Sequence, residues 1–205
     1  AGPTLENIDP IRYISNYSSG KQGYEIAKQL VNRGAKVTLI SGPTYIQSPQ
    51  NVKLITVKTA DEMLVQTNKY NKKIDIAVFC AAIADFKVKK MSNKKIKKDT
   101  LTTLKLIKNI DILKKISTQK INRPKFIVGF SAETGNKLLA RKKLEEKNCN
   151  MIIYNKINKK NKVFGLDENK ISILTKNKIV NYSKFSKLKC ANLIVDSIYK
   201  ELKNK

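Results

Sequence analysis

Three stretches of the chain carry side chains and spacings suited to chemistry on an anion. Ser18-Ser19-Gly20-Lys21-Gln22-Gly23 ends a polar loop and leads directly into an apolar-periodic run, Tyr24, Ile26, Ala27, Leu30 and Val31. That order predicts a loop feeding a helix N-terminus, where unpaired N–H groups and the positive end of the helix dipole suit a phosphate. Gly20 and Gly23 have no Cβ and would let phosphate oxygens reach the main chain. The spacing is Gly-x-x-Gly, short of the full dinucleotide fingerprint and without a Walker Gly-Lys-Ser/Thr ending. An N-capped helix whose glycines only aid packing therefore remains an open alternative. The second stretch is Lys94-Lys95-Ile96-Lys97-Lys98, cations that could meet such a phosphate. The third is Cys80-Ala81-Ala82, small residues closing an apolar run, where a ligand could approach.

The elements that must position these groups follow from periodicity and turn signals. Gly20 to Arg33 reads as a helix closed by Gly34. Val37–Ile40 and Val52–Val57 read as strands, the first ended by Ser41-Gly42-Pro43. Thr59 with Glu62 forms a capping box for a helix to about Tyr70. Ile74 to Ala82 is the strongest strand, with an apolar run that predicts burial on both faces. From Ile83 to Lys105 the pattern breaks into a long basic insertion. Such a charge run is commonly a solvated loop, but its origin beside a buried strand end favours a mobile basic flap over a ligand. Thr102 to Ile107 returns as a strand, and a helix starts at 109–112. Phe126–Ser131 is a strand, and a helix follows from about Asn136 to Lys147. Met151–Asn155 is a strand, 158–169 a second loop, Ile171–Leu174 with Ile179-Val180 a C-terminal hairpin, and Leu188–Leu202 a final helix. Strands alternating with helices predict an α/β fold, an open, mostly parallel Rossmann-like sheet flanked by helices. Ligands of such sheets sit at the carboxyl ends of the strands, the edge on which Gly2 and Cys80–Ala82 would lie. The opening Ala1-Gly2-Pro3-Thr4 is a turn of the kind that follows a strand, so a first strand is expected upstream and missing from this sequence.

Bulk properties narrow the chemistry. The 205 residues include no histidine, which removes imidazole general-base catalysis and the usual Ser-His-Asp and Cys-His arrangements. Three scattered cysteines argue against a disulfide framework or zinc site and fit a reducing cytosol. No apolar run is long enough for a membrane span. The net charge of +26 would suit a polyanion partner. Yet it is spread along the whole chain as Lys mixed with Asn and Ile, with few Arg and no interleaved aromatics. It reads as a solvated surface, and no nucleic-acid partner is expected.

The motifs together resemble phosphopantothenoylcysteine synthetase, the phosphopantothenate–cysteine ligase of coenzyme A synthesis. The resemblance rests on positions 1–21, Ala-Gly-Pro-Thr-x-Glu-x-Ile-Asp-Pro-x-Arg-x-Ile-Ser-Asn-x-Ser-Ser-Gly-Lys. It rests also on Ala81-Ala82-x-Ala84-Asp85-Phe86, Lys95-Ile96-Lys97-Lys98 and Gly129-Phe130-Ser131-Ala132-Glu133-Thr134. It covers almost the whole chain and implies one synthetase domain over residues 1–205. The family is often fused behind a flavin-dependent decarboxylase, which would lie outside this sequence. The implied reaction joins 4′-phosphopantothenate to L-cysteine using CTP and Mg²⁺, through an acyl-cytidylate that releases pyrophosphate before cysteine displaces CMP. Eukaryotic members can use ATP, and the metal's ligands are not identified.

Carried over motif by motif, Asn16 contacts the substrate and serves the second half-reaction, its carboxamide donating to a developing oxyanion. As a loop residue it would otherwise simply hold a turn. Lys95 stabilises charge on the phosphates, with Lys98 a second cation. Gly2, Ser18, Gly20 and Gly23 cradle the triphosphate. Ala81 and Ala82 line the substrate and nucleotide pocket, and the main chain at Phe79 and Cys80 reads the base. Asp85 contacts the nucleotide and Phe130 packs on it. Lys143 and Lys147 share one helix face at i, i+4 and match further nucleotide ligands, although a solvated pair is the ordinary fate of such lysines. Asn109-Ile110-Asp111, followed by Ile112, stands where the family has Asn-Pro-Asp and keeps the amide and carboxylate. Lys21-Gln22-Gly23 replaces the usual Lys-Met-Gly. Arg12 is the residue lent across a homodimer to the substrate phosphate, a task suited to a planar guanidinium. A Rossmann-type oxidoreductase is the main competing reading, but it needs an acidic ribose partner where this chain has Ser41-Gly42-Pro43. A nucleic-acid-binding module is the other competitor and predicts steeply salt-dependent binding.

Overall fold

The computed structural model describes residues 1–72, 74–100, 103–134, 137–157 and 166–203. The expected starts at Thr102 and Asn136, and residues 158–165 of the expected second loop, lie outside them. In chain order the elements are β1 (Leu5–Asn7), β2 (Tyr13–Ser15), α1 (Lys21–Asn32), β3 (Val37–Ser41), β4 (Val52–Thr56), α2 (Ala60–Tyr70), β5 (Ile76–Phe79) and β6 (Phe86–Val88). There follow a 3-10 turn (Lys98–Thr100), β7 (Leu106–Lys108), α3 (Ile112–Ser117), β8 (Phe126–Glu133), α4 (Lys137–Glu146), β9 (Met151–Lys156), β10 (Glu168–Thr175), β11 (Ile179–Ser186) and α5 (Lys187–Lys203).

The main sheet has the order β11-β10-β9-β8-β5. It is parallel across β5, β8 and β9 and antiparallel through the C-terminal hairpin. β3 and β4 form a separate parallel pair. The α/β architecture expected from the alternating pattern is therefore present. Alternation in β9 and β10 explains the layers. Ile153, Ile171 and Ile173 face α5, packing with Ala191, Ile194 and Ile198. Ile152, Tyr154 and Leu174 face Ala140 and Leu144 of α4. Each fully buried aliphatic side chain contributes about 1.5–3 kcal/mol, so these two layers hold the sheet that carries the site.

Helix ends follow their local chemistry. α1 ends in a Schellman arrangement, in which Gly34 N–H donates to Val31 O at 2.8 Å and Ala35 N–H to Leu30 O at 3.0 Å. Thr59 caps α2 by accepting from Glu62 N–H at 3.2 Å. The reach-back differs by one residue from the capping box: Glu62 Oε2 accepts from Lys58 N–H at 2.7 Å.

Three expectations change. Residues 5–15, read as loop, form the β1–β2 antiparallel hairpin. The basic insertion is bounded by its own antiparallel ribbon, β6 with β7. β5 is half-buried along its length rather than buried on both faces. It pairs with β8 on one edge, while beyond its end Ala82 meets Pro3 in a single parallel bridge. Among the described residues no strand covers the rest of that edge.

Candidate active site

The site is built where residues 1–4 pass between the ends of β3 and β5. Gly42 N–H donates to Ala1 O at 3.0 Å, Ala82 N–H to Gly2 O at 2.9 Å, and Thr4 N–H to Ala82 O at 3.2 Å. Gly2 has φ +70°, and a Cβ there would lie 2.7 Å from Gly42 O. Gly20 has φ +76°, and its Cβ would lie 2.7 Å from Thr44 Cγ2 and 3.3 Å from the Gly2 Cα. Both positions require glycine sterically. Gly23 comes against Ala1 and Cys80 in the same corner. Gly2, Gly20, Gly23, Cys80 and Ala82 thus meet at the carboxyl edge of the strands.

No side chain caps α1, because Gly20 occupies its N-cap. Ser19 Oγ accepts from Lys21 N–H only at 3.4 Å, and Ser18 Oγ accepts from Gly20 N–H at 3.3 Å. The first turn of α1 therefore offers N–H groups to an anion. Its base is anchored to the C-terminal layer: Gln22 Nε2 donates to Lys187 O at 3.1 Å, and Lys21 Nζ pairs with Asp167 at 2.6 Å. Burial pushes the Cys80 thiol up to about 11, so it stays neutral at pH 7.

Beside this cradle lies an open cleft of about 550 Å³, lined by Pro3, Ser15, Asn16, Pro43 and Thr44 with Tyr13, Tyr17 and Tyr45. Asn16 is exposed, and its Nδ2 donates to Ile83 O at 2.9 Å. One amide hydrogen is thereby tied down, on a side chain that lines the cleft. Asn109 closes the root of the insertion, with N–H donating to Asp85 O at 2.8 Å and Nδ2 to Ala84 O at 2.8 Å. Its Oδ1 is buried without a hydrogen-bond partner. Asp85 is exposed, Ala81 and Ala82 are half-buried, and Ile110 is exposed.

Other carried-over residues have intramolecular engagements. Asp111 caps α3, its Oδ1 accepting from Lys114 N–H at 2.9 Å, and Lys147 Nζ lies 2.9 Å from its Oδ2. Burial would push the Asp111 carboxyl up, but the Lys114 N–H and the Lys147 ammonium together bring it below its ordinary value. Lys143 pairs with Glu133, which also accepts from Ser131 Oγ at 3.1 Å. The Ile112 side chain is 1% exposed, in the core with Met63 and Ile116, so only its main chain can face a ligand. Phe130 packs on the α5-side core and Phe79 on the α2–α3 core.

Arg12 and Lys95 belong to a different neighbourhood. Lys95 is exposed, and Lys98 opens the 3-10 turn of the insertion. Next to Lys95, Ile96 O accepts from Arg12 Nη2 at 2.9 Å, and Ile96 N–H donates to Asp9 Oδ2 at 3.2 Å. The Arg12 guanidinium also grips Asp9 through Nε at 3.0 Å and through Nη2. Asp9, Glu133 and the three tyrosines were not singled out from the sequence. For Asp9 a signal existed, since Asp-Pro-x-Arg is an Asx-turn pattern.

Fold and site define an α/β protein with a glycine-packed corner and an uncapped helix N-terminus at the carboxyl edge of its strands, and a basic ribbon rooted beside it. The chain belongs to the DNA/pantothenate metabolism flavoprotein C-terminal domain family, matching it over residues 1–202. It is 44% identical over 200 residues to the coenzyme A biosynthesis bifunctional protein CoaBC of Haemophilus influenzae, covering 97% of this chain and 50% of that protein. Its identity to the Borreliella burgdorferi protein of the same name is 40% over 203 residues, covering 97% and 51%. The chain thus spans about half the length of these curated relatives. The crystal structure of the C-terminal domain of a CoaBC protein superimposes with a TM-score of 0.84 at 34% identity, covering 100% of this chain and 94% of that one. Among the described residues no helix is long and apolar enough to cross a membrane.

Proposed function

We propose that this chain is the phosphopantothenate–cysteine ligase unit of coenzyme A synthesis, acting in the cytoplasm as one synthetase domain over residues 1–205. The observation that carries the proposal is the convergence of Gly2, Gly20, Gly23 and Ala82 on an uncapped helix start, in a chain related along its length to the CoaBC C-terminal half. A CTP triphosphate would lie on the α1 N-terminus, and 4′-phosphopantothenate in the cleft beside Asn16. The substrate carboxylate attacks the α-phosphate; a P–O bond forms and the bond to pyrophosphate breaks. The amine of L-cysteine then attacks the acyl carbon and CMP leaves. With no histidine in the chain, catalysis rests on positioning and charge stabilisation. Lys95 would neutralise the phosphates, and the other Asn16 amide hydrogen would donate to the oxyanion. The buried, unpartnered Asn109 Oδ1 would accept from a nucleotide donor, and Lys143 and Lys147 would be recruited to the nucleotide by exchanging partners.

Among the described residues no three Cys, Asp or Glu gather into a metal cage. This fits Mg²⁺ carried mainly by the nucleotide's phosphates, with Asp85 the exposed carboxylate nearby. Bound there, it would supply charge neutralisation. A homodimer belongs to the same proposal. Exposed Ile11, Tyr13, Phe86, Leu106 and Ile107 on the two ribbons support pairing, which would bring Arg12 to a partner's substrate. An associated flavin-dependent decarboxylase belongs to the same proposal, since the bifunctional relatives are about twice the length of this chain.

The test is pyrophosphate release with each of the four nucleoside triphosphates, with and without cysteine. CTP with phosphopantothenate should release pyrophosphate and, on adding cysteine, yield CMP and phosphopantothenoylcysteine. Release that is absent with all four, or independent of phosphopantothenate, contradicts the proposal.

A further inference from the structure

The insertion that carries Lys95 is pinned at a point far from its root, and the pin is a buried carboxylate. Asp9 is 1% exposed, in the turn between β1 and β2. Its Oδ1 accepts from the N–H groups of Ile11 and Arg12, each at 2.9 Å, which fixes the turn. Its Oδ2 takes the Arg12 guanidinium and the Ile96 N–H. The guanidinium passes on to Ile96 O at 2.9 Å. Both peptide groups flanking Ile96 are thereby held, including the one that joins it to Lys95. A third tie lies four residues upstream, where Ser92 N–H donates to Ile8 O at 3.0 Å. Between these ties Ser92 Oγ donates to Lys94 O at 2.6 Å, folding the segment on itself.

We propose that Asp9 is a positioning residue for the ligase reaction: with Arg12 it latches the main chain at Ile96 and so presents Lys95 to the nucleotide. The positioning claim rests on the reading of Lys95 as the phosphate cation; the latch itself does not. A buried carboxylate is retained only if its lone pairs are used, and here the donors come from both the turn and the insertion. An exposed lysine has many rotamers, and fixing its backbone removes part of the cost of placing it. Arg12 held in this way keeps its side chain about a third exposed, so the latch and a phosphate contact are compatible.

Asp9→Asn separates the two halves of the device. An asparagine Oδ1 still accepts from the N–H groups of Ile11 and Arg12 and keeps the turn. Its Nδ2 is a donor and cannot accept from Ile96 or Arg12. Limited trypsin digestion of the full chain reads the latch directly, at the lysines of residues 94–98. Cleavage there should be about tenfold faster in Asp9→Asn than in wild type, with cleavage at lysines outside the insertion changed far less, because the charge-assisted bonds lost are those that hold this segment. Ile96→Pro removes the same N–H without touching the turn and should also expose the segment, read at Lys97 and Lys98 because trypsin does not cut a Lys–Pro bond. Pyrophosphate release by Asp9→Asn should fall about tenfold in kcat with KM for CTP changed less than twofold, the signature of a contact made in the transition state. Placed on Lys95→Gln, Asp9→Asn should cause no further loss of kcat, since both act through one cation.

Unchanged cleavage in both variants overturns the latch. Faster cleavage with unchanged kcat, or additive losses in the double variant, overturns the positioning role. If Lys95→Gln itself leaves pyrophosphate release intact, the reading of the site fails and the positioning role with it, while the cleavage rates still decide the latch.

Discussion

The glycine cradle and the lysine ribbon are held by opposite means. The cradle is set by sterics: Gly2 and Gly20 sit at positive φ with no room for a Cβ, against segments tied into β3 and β5. The ribbon is three residues long on each side. Beyond it, residues 92–96 are pinned through Ile8, Asp9 and Arg12. A sterically built site is indifferent to charge and intolerant of any side chain. A polar latch tolerates shape changes and fails when one acceptor becomes a donor. On the proposed function, a site that binds an anion firmly and yet admits and releases it has use for both.

Breaking the ribbon's cation should give the largest effect. Lys95→Gln is expected to lower pyrophosphate release by about 10²–10³-fold, the usual cost of one donor to developing charge, with the melting temperature unchanged; stopped-time pyrophosphate assays measure it. Breaking the cradle comes next. Gly2→Ala adds strain of about 1–2 kcal/mol at positive φ and drives Cβ against Gly42 O. At about 2–4 °C per kcal/mol for a chain of this size, the melting temperature should fall by about 2–8 °C, and CTP should no longer protect against melting. Asn16→Asp replaces the donor to Ile83 O by an acceptor. The first half-reaction should persist while the cysteine-dependent step slows by about 10²-fold, the lower end of the cost of an oxyanion donor, so acyl-cytidylate accumulates in quenched samples.

Acid should sharpen the contrast with the smallest effect. The Arg12 guanidinium holds the Asp9 carboxyl well below the usual carboxylate range, against the opposing effect of burial. A depressed native pKa gives stability that is present above the unfolded value, about 4, and lost as pH falls through the native one. Protection of the Ile96 amide from hydrogen exchange should therefore be flat from pH 7 to about 4.5. The cradle's own contacts are steric and main-chain, and the Lys21–Asp167 pair at its base is exposed, so any acid limb there should be shallower.

Much of the fold was legible because its signals are local. Gly34 after an apolar period, Thr59 before Glu62, and the runs at 126–131 and 151–155 each specify an element within a few residues. The β1–β2 hairpin was not legible. Leu5–Asn7 and Tyr13–Ser15 are too short to show alternation, and Glu6 is buried because its carboxylate accepts from Ala60 N–H at 2.9 Å, at the start of α2. The continuous apolar run of β5 suggested burial on both faces, but its exposure depends on what lies along its second edge. Of the site, glycines and small residues could be read from spacing. The engagements of Arg12, Lys143 and Lys147 could not, because each is a tertiary pairing, the Arg12–Ile96 tie spanning 84 residues, and no periodicity encodes it.

The central claim is that cradle and ribbon serve one nucleotide during activation of a carboxylate. Rapid-quench measurement of pyrophosphate from CTP and phosphopantothenate, without cysteine, tests it most directly. The account predicts a burst of about one pyrophosphate per active site, abolished by omitting phosphopantothenate and strongly slowed in Lys95→Gln. A burst of the same size and rate in Lys95→Gln, or none in the wild type, would contradict it.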